Sequence, residues 1–415
     1  MEIIRKLFVI IVLFLFVISC FHQERQLKSE NGTSVKIQLN PSEAVNDSIA
    51  LSYIAERVEY IPLQKTDSAI LGYFYDFKVT KDFIFVREQN SILEFSKEGR
   101  FIRQMFNVGS GPGESIAKNF AVNESDKLMY AYDIHSRKGN IYDFNGTFIN
   151  ALYKDLSDPS YWINSIDYFQ SNIFVSISPR PGTGYIFSCF DLRNDSVRVL
   201  YKNNNAFTFS QEKQNPMIVL GNNGYQVTQS HLLIKDRYCD TVFLVDKDFK
   251  TEPLYVIGLG NAKMTWEDFR DHGMFNIADG PPGGYWIESF VDTKSFLFLM
   301  IKSFRNPELL CVYNKRTGAK IVTSNKDYKT QDQQVFMKND LDHLVAFPPM
   351  SKRAGLFFYY DECLYSVIEA KDFADAYNSA SVEIKTSSDY LRKMAPVFSK
   401  IDEFSNPVIM KVFLK

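Results

Sequence analysis

Lys81-Asp-Phe-Ile-Phe-Val-Arg-Glu-Gln-Asn-Ser-Ile-Leu-Glu-Phe-Ser-Lys-Glu-Gly99 is the stretch from which the fold can be read. The polar pair Lys81-Asp82 opens an apolar strand, Phe83-Ile-Phe-Val86, and a further strand, Ile92-Leu-Glu-Phe95, runs into the turn Ser96-Lys-Glu-Gly99. Asp, Ser and Gly at such positions favour tight reversals, while aromatic and β-branched residues between them fit a pleated surface. The stretch therefore holds the end of one hairpin and the start of another.

The same pattern recurs. Strands equivalent to Phe83–Val86 begin at Leu128, Ile173, Leu232, Phe296 and Leu356, so successive units start 45 to 64 residues apart. Each follows a polar turn: Lys81-Asp82, Ser125-Asp126, Ser171-Asn172, Ser230-His231, Thr293-Lys294 and Ser351-Lys352. The second hairpin recurs at Ile141, Ser188, Val242 and Leu310, and in a less regular form at Cys363-Leu-Tyr-Ser-Val367. Six units of four antiparallel strands predict an all-β fold, a six-bladed β-propeller, in which each sheet buries both faces and the ring hides its edges. Continuous aromatic runs such as Phe357-Phe-Tyr-Tyr360 suit strands packed on both sides. A β-sandwich would use fewer strands, and a parallel β-helix a shorter period. Two strands remain, Arg57–Leu63 and Pro407–Phe413, and at least one is predicted to complete the last sheet and close the ring by terminal pairing. The tail near Tyr390–Ile401 carries a weak helical period.

The N-terminus reads as an export signal. Arg5 and Lys6 precede an apolar run from Leu7 to Ile18, which is shorter than the roughly 20 residues that span a bilayer as a helix. It ends in Val17-Ile-Ser-Cys20, the form of a lipobox whose cysteine is acylated and becomes the mature N-terminus. Residues 1–19 are thus read as a signal peptide, 20–47 as a polar tether and 48–415 as the propeller with its closing segment. The implied setting is a bacterial cell envelope, lipid-anchored at the outer membrane, with the bilayer as a partner through acyl chains.

The 415 residues carry 47 Lys+Arg against 49 Asp+Glu, a balance that excludes a strongly basic nucleic-acid binder. Of the five cysteines, Cys189, Cys239, Cys311 and Cys363 lie far apart without a metal or redox spacing and read as free buried thiols. The histidines show no metal-binding spacing, and no nucleophile elbow or Cys/His arrangement appears, so neither a metal site nor a catalytic residue is assigned. No cofactor is expected, although a calcium ion in the central channel is compatible with the plentiful carboxylates. Those nearest the hairpins, Asp191, Asp246 and Asp361, read as Asx-type turns.

Two local features are candidate binding elements. Gly109-Ser-Gly-Pro-Gly-Glu114 could present backbone amides to a ligand through Gly111, Pro112, Gly113 and Glu114, but a structural turn between blades is the favoured reading. Trp162, Trp266 and Trp286 fall in or beside connections between strands, two of them in the long irregular stretch Gly258–Ile287. Aromatic rings on such a face suit stacking on sugars or anchoring a peptide, whereas rings that lid the propeller's own core would bind nothing.

Val58-Glu-Tyr-Ile-Pro-Leu63, Gly109–Glu114, Tyr238-Cys-Asp-Thr-Val-Phe243 and Ser405-Asn-Pro-Val408 occur in this order across nearly the whole chain. In them the chain resembles the six-bladed β-propeller lipoproteins of Bacteroidetes, which are NHL-like and mostly without an assigned reaction. Gln64 stands where that family usually carries Glu, and Ser115 where an aromatic is common. The resemblance implies fold and export.

The function read from these features is a membrane-tethered binding or scaffold module for a glycan or protein ligand. The competing reading is a propeller hydrolase or lyase with a metal or carboxylate site at the central channel. If Cys20 carries the anchor, Cys20→Ala releases the protein from membranes and abolishes incorporation of labelled fatty acid. Continued labelling of the variant would refute the assignment.

Overall fold

The computed structural model describes residues 34–45, 48–72, 74–133, 138–152, 162–178, 187–193, 196–201, 224–228, 230–236, 239–264, 283–303, 305–324, 336–348 and 357–415. Two strands come first, β1 (Val35–Gln38) and β2 (Ala55–Pro62). Blade 1 holds β3 (Phe74–Val79), β4 (Phe83–Glu88), β5 (Ser91–Ser96) and β6 (Phe101–Gln104). Blade 2 holds β7 (Asn119–Asn123), β8 (Leu128–Asp133), β9 (Lys138–Asp143) and β10 (Phe148–Leu152). Blade 3 holds β11 (Trp162–Phe169), β12 (Asn172–Ser178), β13 (Phe187–Asp191) and β14 (Ser196–Tyr201). Blade 4 holds β15 (Gly224–Val227), β16 (Leu232–Lys235), β17 (Thr241–Val245) and β18 (Thr251–Gly258). Blade 5 holds β19 (Tyr285–Asp292), β20 (Phe296–Ser303), β21 (Leu309–Asn314) and β22 (Lys320–Ser324). Blade 6 takes β23 (Phe358–Tyr360), β24 (Cys363–Ile368) and β25 (Val408–Leu414), with β2 as its outermost strand. The chain is a six-bladed propeller of antiparallel sheets, as its repeats predict.

The two-residue period of a strand explains how the blades cohere. On β4, Ile84 and Val86 join a core with Tyr365 and Ile409 of blade 6, while Phe85 points the other way, into a core with Phe120, Met129 and Phe144 of blade 2. Each side chain so buried contributes about 1.5–3 kcal/mol, and both faces of the strand are used.

Closure employs both spare strands. β25 lies between β24 and β2, with Ile409 opposite Val367 on one side and Ile61 on the other. Its odd and even residues serve different neighbours: Ile409 packs toward blade 1, and Val408, Met410 and Val412 pack with Phe298 and Leu310 of blade 5.

The sixth unit corrects the strand assignment made from sequence. The run ending at Tyr360 is the innermost strand of its blade, Cys363–Ile368 is the second, and they meet in a two-residue turn, Asp361-Glu362, with positive φ at both positions. Asp361 therefore makes no Asx turn of the kind seen elsewhere. The expected second hairpin is replaced by an excursion through α1 (Ala370–Ser379), α2 (Val382–Lys385) and α3 (Asp389–Phe398). Ser388 caps α3 by accepting from the Leu391 amide, and Phe373 and Phe398 bring their rings to 5.2 and 6.1 Å from Tyr60 of β2.

The turns carry a repeat finer than the strand pattern. The residue at or just past the end of the third strand caps the turn after it: Asp143 accepts from Asn145 and Thr147, Asp191 from Arg193, Asp246 from Asp248 and Lys250, and Asn314 from Arg316 and Thr317. The first turn of three blades uses a threonine instead, Thr80, Thr228 and Thr293, whose hydroxyl accepts from the amide three residues on. These turns share one face of the ring. Helices α1 to α3 and the connections between blades start from the opposite face.

The N-terminal segment straps the rim. β1 adds to blade 4 as a fifth strand parallel to β18, Val45 bridges to Thr323 on blade 5, and β2 then enters blade 6. Val35–Gln38, read from sequence as part of a polar tether, thus belongs to the body. Ile37, within that strand, is buried. Closure should dominate stability: Ile409→Ala is expected to lower the unfolding free energy by about 2–5 kcal/mol in denaturant titration, in a single transition. A loss below about 0.5 kcal/mol would show that the ring does not depend on this strand.

Candidate functional site

The first strand of every blade faces the axis, and together these strands line a cavity of about 1060 Å³. Such strands are apolar where they touch a neighbouring blade. β3 follows this rule through Phe77 and Val79, which enter the core with blade 6, while Asp76 and Lys78 share the other side of the strand and line the channel. Lys78 reaches across the channel to Asp167 of β11 in blade 3, Nζ to Oδ2 at 2.6 Å, with only 11% and 14% of the two side chains exposed. Its ammonium also lies 5.9 Å from the ring centre of Tyr225, on β15 in blade 4.

Burial by itself would lower the Lys78 pKa, but Asp167, Tyr225 and Asp76 outweigh it and hold the ammonium above the ordinary lysine range. Burial lifts the Asp76 carboxyl above the usual aspartate value, although Lys78 and the cross-strand partner Arg87 oppose the rise. The Tyr225 hydroxyl is pushed up to about 12 by burial. The result is a charge-balanced polar girdle within an aromatic wall that includes Phe358, Tyr359 and Tyr360. At the turn face Tyr360 donates to both carboxylate oxygens of Glu124, at 2.9 and 2.8 Å, and the Lys81 amide joins them. Among the described residues, no group of three or more His, Cys, Asp or Glu is placed to hold a metal ion.

The residues proposed from sequence lie elsewhere. Gly109–Glu114 joins blades 1 and 2, and its amide cradle is occupied from within: the Gly111 amide donates to Glu114 Oε2 at 2.8 Å. A Cβ on Gly109 would stand 2.1 Å from that same oxygen, which explains the glycine. Asn140 and Tyr142 donate to the carbonyls of Glu114 and Gly113, at 2.5 and 3.1 Å, and fasten the loop to β9. Gly111, Pro112, Gly113 and Glu114 thus form the inter-blade turn favoured from sequence.

Trp286 corrects the picture of an aromatic patch on a loop. It is the second residue of β19, 5% exposed, and its Nε1 donates to Glu288 Oε2 at 2.6 Å. Trp162 opens β11 opposite Ser178. Trp266 and Cys20 lie outside the described residues. The four remaining cysteines are free, three of them buried.

Beside Trp286, Lys235 bridges blades 4 and 5. Its Nζ donates to the carbonyls of Asp236 and Ile287, each at 2.9 Å, and burial lowers its pKa to about 8. The channel residues went unrecognised in the sequence, where a usable signal existed. Asp76 and Lys78 occupy alternate positions of a strand that directly precedes an identified turn.

A family model described as a domain of unknown function (DUF4934) matches residues 35–413. A crystal structure from Bacteroides fragilis NCTC 9343, of a protein whose name presumes export, is 14% identical, with a TM-score of 0.63 over 92% of this chain and 100% of that one. A member of the DUF4221 family from Bacteroides vulgatus ATCC 8482 is 12% identical, with a TM-score of 0.49 over 87% and 97% of the two chains. No curated protein matches the sequence.

Lys235 makes a pH test of the inter-blade bridge. Between pH 8 and the ordinary lysine value of 10.5 the unfolded chain keeps a proton on this group that the folded chain has shed, so the contribution of Lys235 to stability should rise with pH over that window, against the fall above pH 9.0 from the buried thiols of Cys189 and Cys311, both pushed up to about 12. The difference in unfolding free energy between the native chain and Lys235→Met in denaturant titrations should show this slope, because the variant lacks it. An undiminished slope in the variant would place its origin in another group.

Proposed function

The chain belongs to the DUF4934 family, and on that premise we propose that it is an extracytoplasmic binding module that holds a glycan or protein ligand at its axial channel. The observation that carries this reading is the girdle of Lys78, Asp167, Asp76 and Tyr225 in a cavity of about 1060 Å³, at the upper end of the size of small-ligand sites. A buried ion pair adds little to stability compared with apolar packing, so its presence where the inner strands of the blades converge favours a role in recognition. Export and a lipid anchor at Cys20 account for a module presented at the cell envelope, and the name of the Bacteroides fragilis neighbour agrees with export.

The competing reading is a hydrolase or lyase. It draws support from Asp76, whose carboxyl is raised by burial beside a second carboxylate, Asp167, as in acid/base pairs. The two readings part in one experiment. The full chain, purified in detergent and immobilised, is expected to retain an envelope glycan or protein unchanged. Tyr225→Leu should weaken that retention about tenfold or more. Release of shortened or unsaturated products, lost in Asp76→Asn, would replace the binding module with the enzyme.

A further inference from the structure

We propose that the ligand of the channel is a neutral carbohydrate, whose hydroxyls bond to Lys78, Asp167, Asp76 and Ser289. This rests on the binding reading above and narrows it. The charged groups of the girdle balance: Lys78 against Asp167 at 2.6 Å, and Asp76 against its cross-strand neighbour Arg87. The further carboxylate, Glu124, lies at the turn face, where Tyr360 and the Lys81 amide donate to it. A charged ligand entering the girdle would lose its hydration without meeting an excess of opposite charge there. A sugar hydroxyl both donates and accepts. It therefore fits between carboxylates that only accept and an ammonium that only donates.

Ser289 is the independent observation. It lies on β19, lines the channel and is 7% exposed, and its hydroxyl has no hydrogen-bond partner among the described residues. Thr66, Tyr130 and Ser176 also have buried hydroxyls without a partner among the described residues, but Ser289 is placed on the channel, where a polyhydroxylated ligand can supply what its hydroxyl lacks. The neighbouring walls are aromatic, with Tyr225 and Tyr359 among the channel-lining rings, and aromatic walls suit the apolar faces of a sugar ring.

The test is calorimetric titration of the full chain in detergent with neutral gluco-, manno-, xylo- and galacto-oligosaccharides, alongside oligogalacturonate, oligoglutamate and oligolysine. At least one neutral oligosaccharide is expected to bind, with an affinity little changed by added salt. Ser289→Ala should weaken it about two- to tenfold without lowering the melting temperature, since it removes no bond from the free protein. Lys78→Met alone strands a buried carboxylate and risks misfolding, so the double variant Lys78→Met/Asp167→Leu replaces the pair as a unit and should abolish binding. If only a charged probe binds and the double variant loses it, the neutral-sugar inference is overturned while the channel stands as the site. Neutral-sugar binding that survives the double variant overturns both. Binding of no neutral oligosaccharide overturns the inference.

Discussion

The ring depends on the pairing of a strand near the chain's beginning with one at its end. β25 can enter blade 6 only with β24 on one side and β2 on the other, and its alternate residues then complete the cores toward blades 1 and 5. The interfaces between successive blades from 1 to 5 join segments close in sequence, apart from the N-terminal strap. The pairing of β25 with β2 joins residues more than three hundred positions apart, so its loop-closure entropy is met only when the other blades are in place. Circular repeats with such a closure behave as one cooperative body, whereas open arrays add stability unit by unit. The strap formed by β1 and Val45 strengthens the same region, since it covers the rims of blades 4 and 5 on its way to β2.

Closure also creates the channel. Six inner strands brought around one axis leave a space that their side chains must fill or leave open, and here polar groups occupy part of it. Lys78 and Asp167 sit on blades 1 and 3, so neither has its partner until the ring is assembled. The pair lies in a low dielectric where each charge alone would be costly, and it holds the two in register. The same girdle that supports the binding proposal is thereby a product of the closed geometry.

The aromatic residues divide along the same line. Phe and Tyr of the second and third strands pack between blades, as the contact of Phe85 with Phe144 at 5.0 Å illustrates. Trp286, at the head of an inner strand, is drawn into the body beside the Lys235 bridge, and its indole is spent on Glu288. The glycine-rich loop follows the same logic, because its amides are satisfied by its own Glu114.

Read alone, the sequence determined the second and third strands of five blades, the turns that flank them, the closing segments and the helical character around Tyr390. Those features follow from local propensity and a two-residue alternation that any half-buried strand must show. The sixth blade was read one strand out of step because its expected second hairpin is a helical excursion, and an innermost and a second strand have the same composition when both are buried. Asp76 and Lys78 stand at alternate positions of one strand, but Asp167 and Ser289 belong to two other blades, and no spacing along the chain marks them as neighbours of that pair. Only the ring decided that they meet, because convergence on an axis is a property of closure, while sequence periodicity records which side of a strand is buried and not what it is buried against.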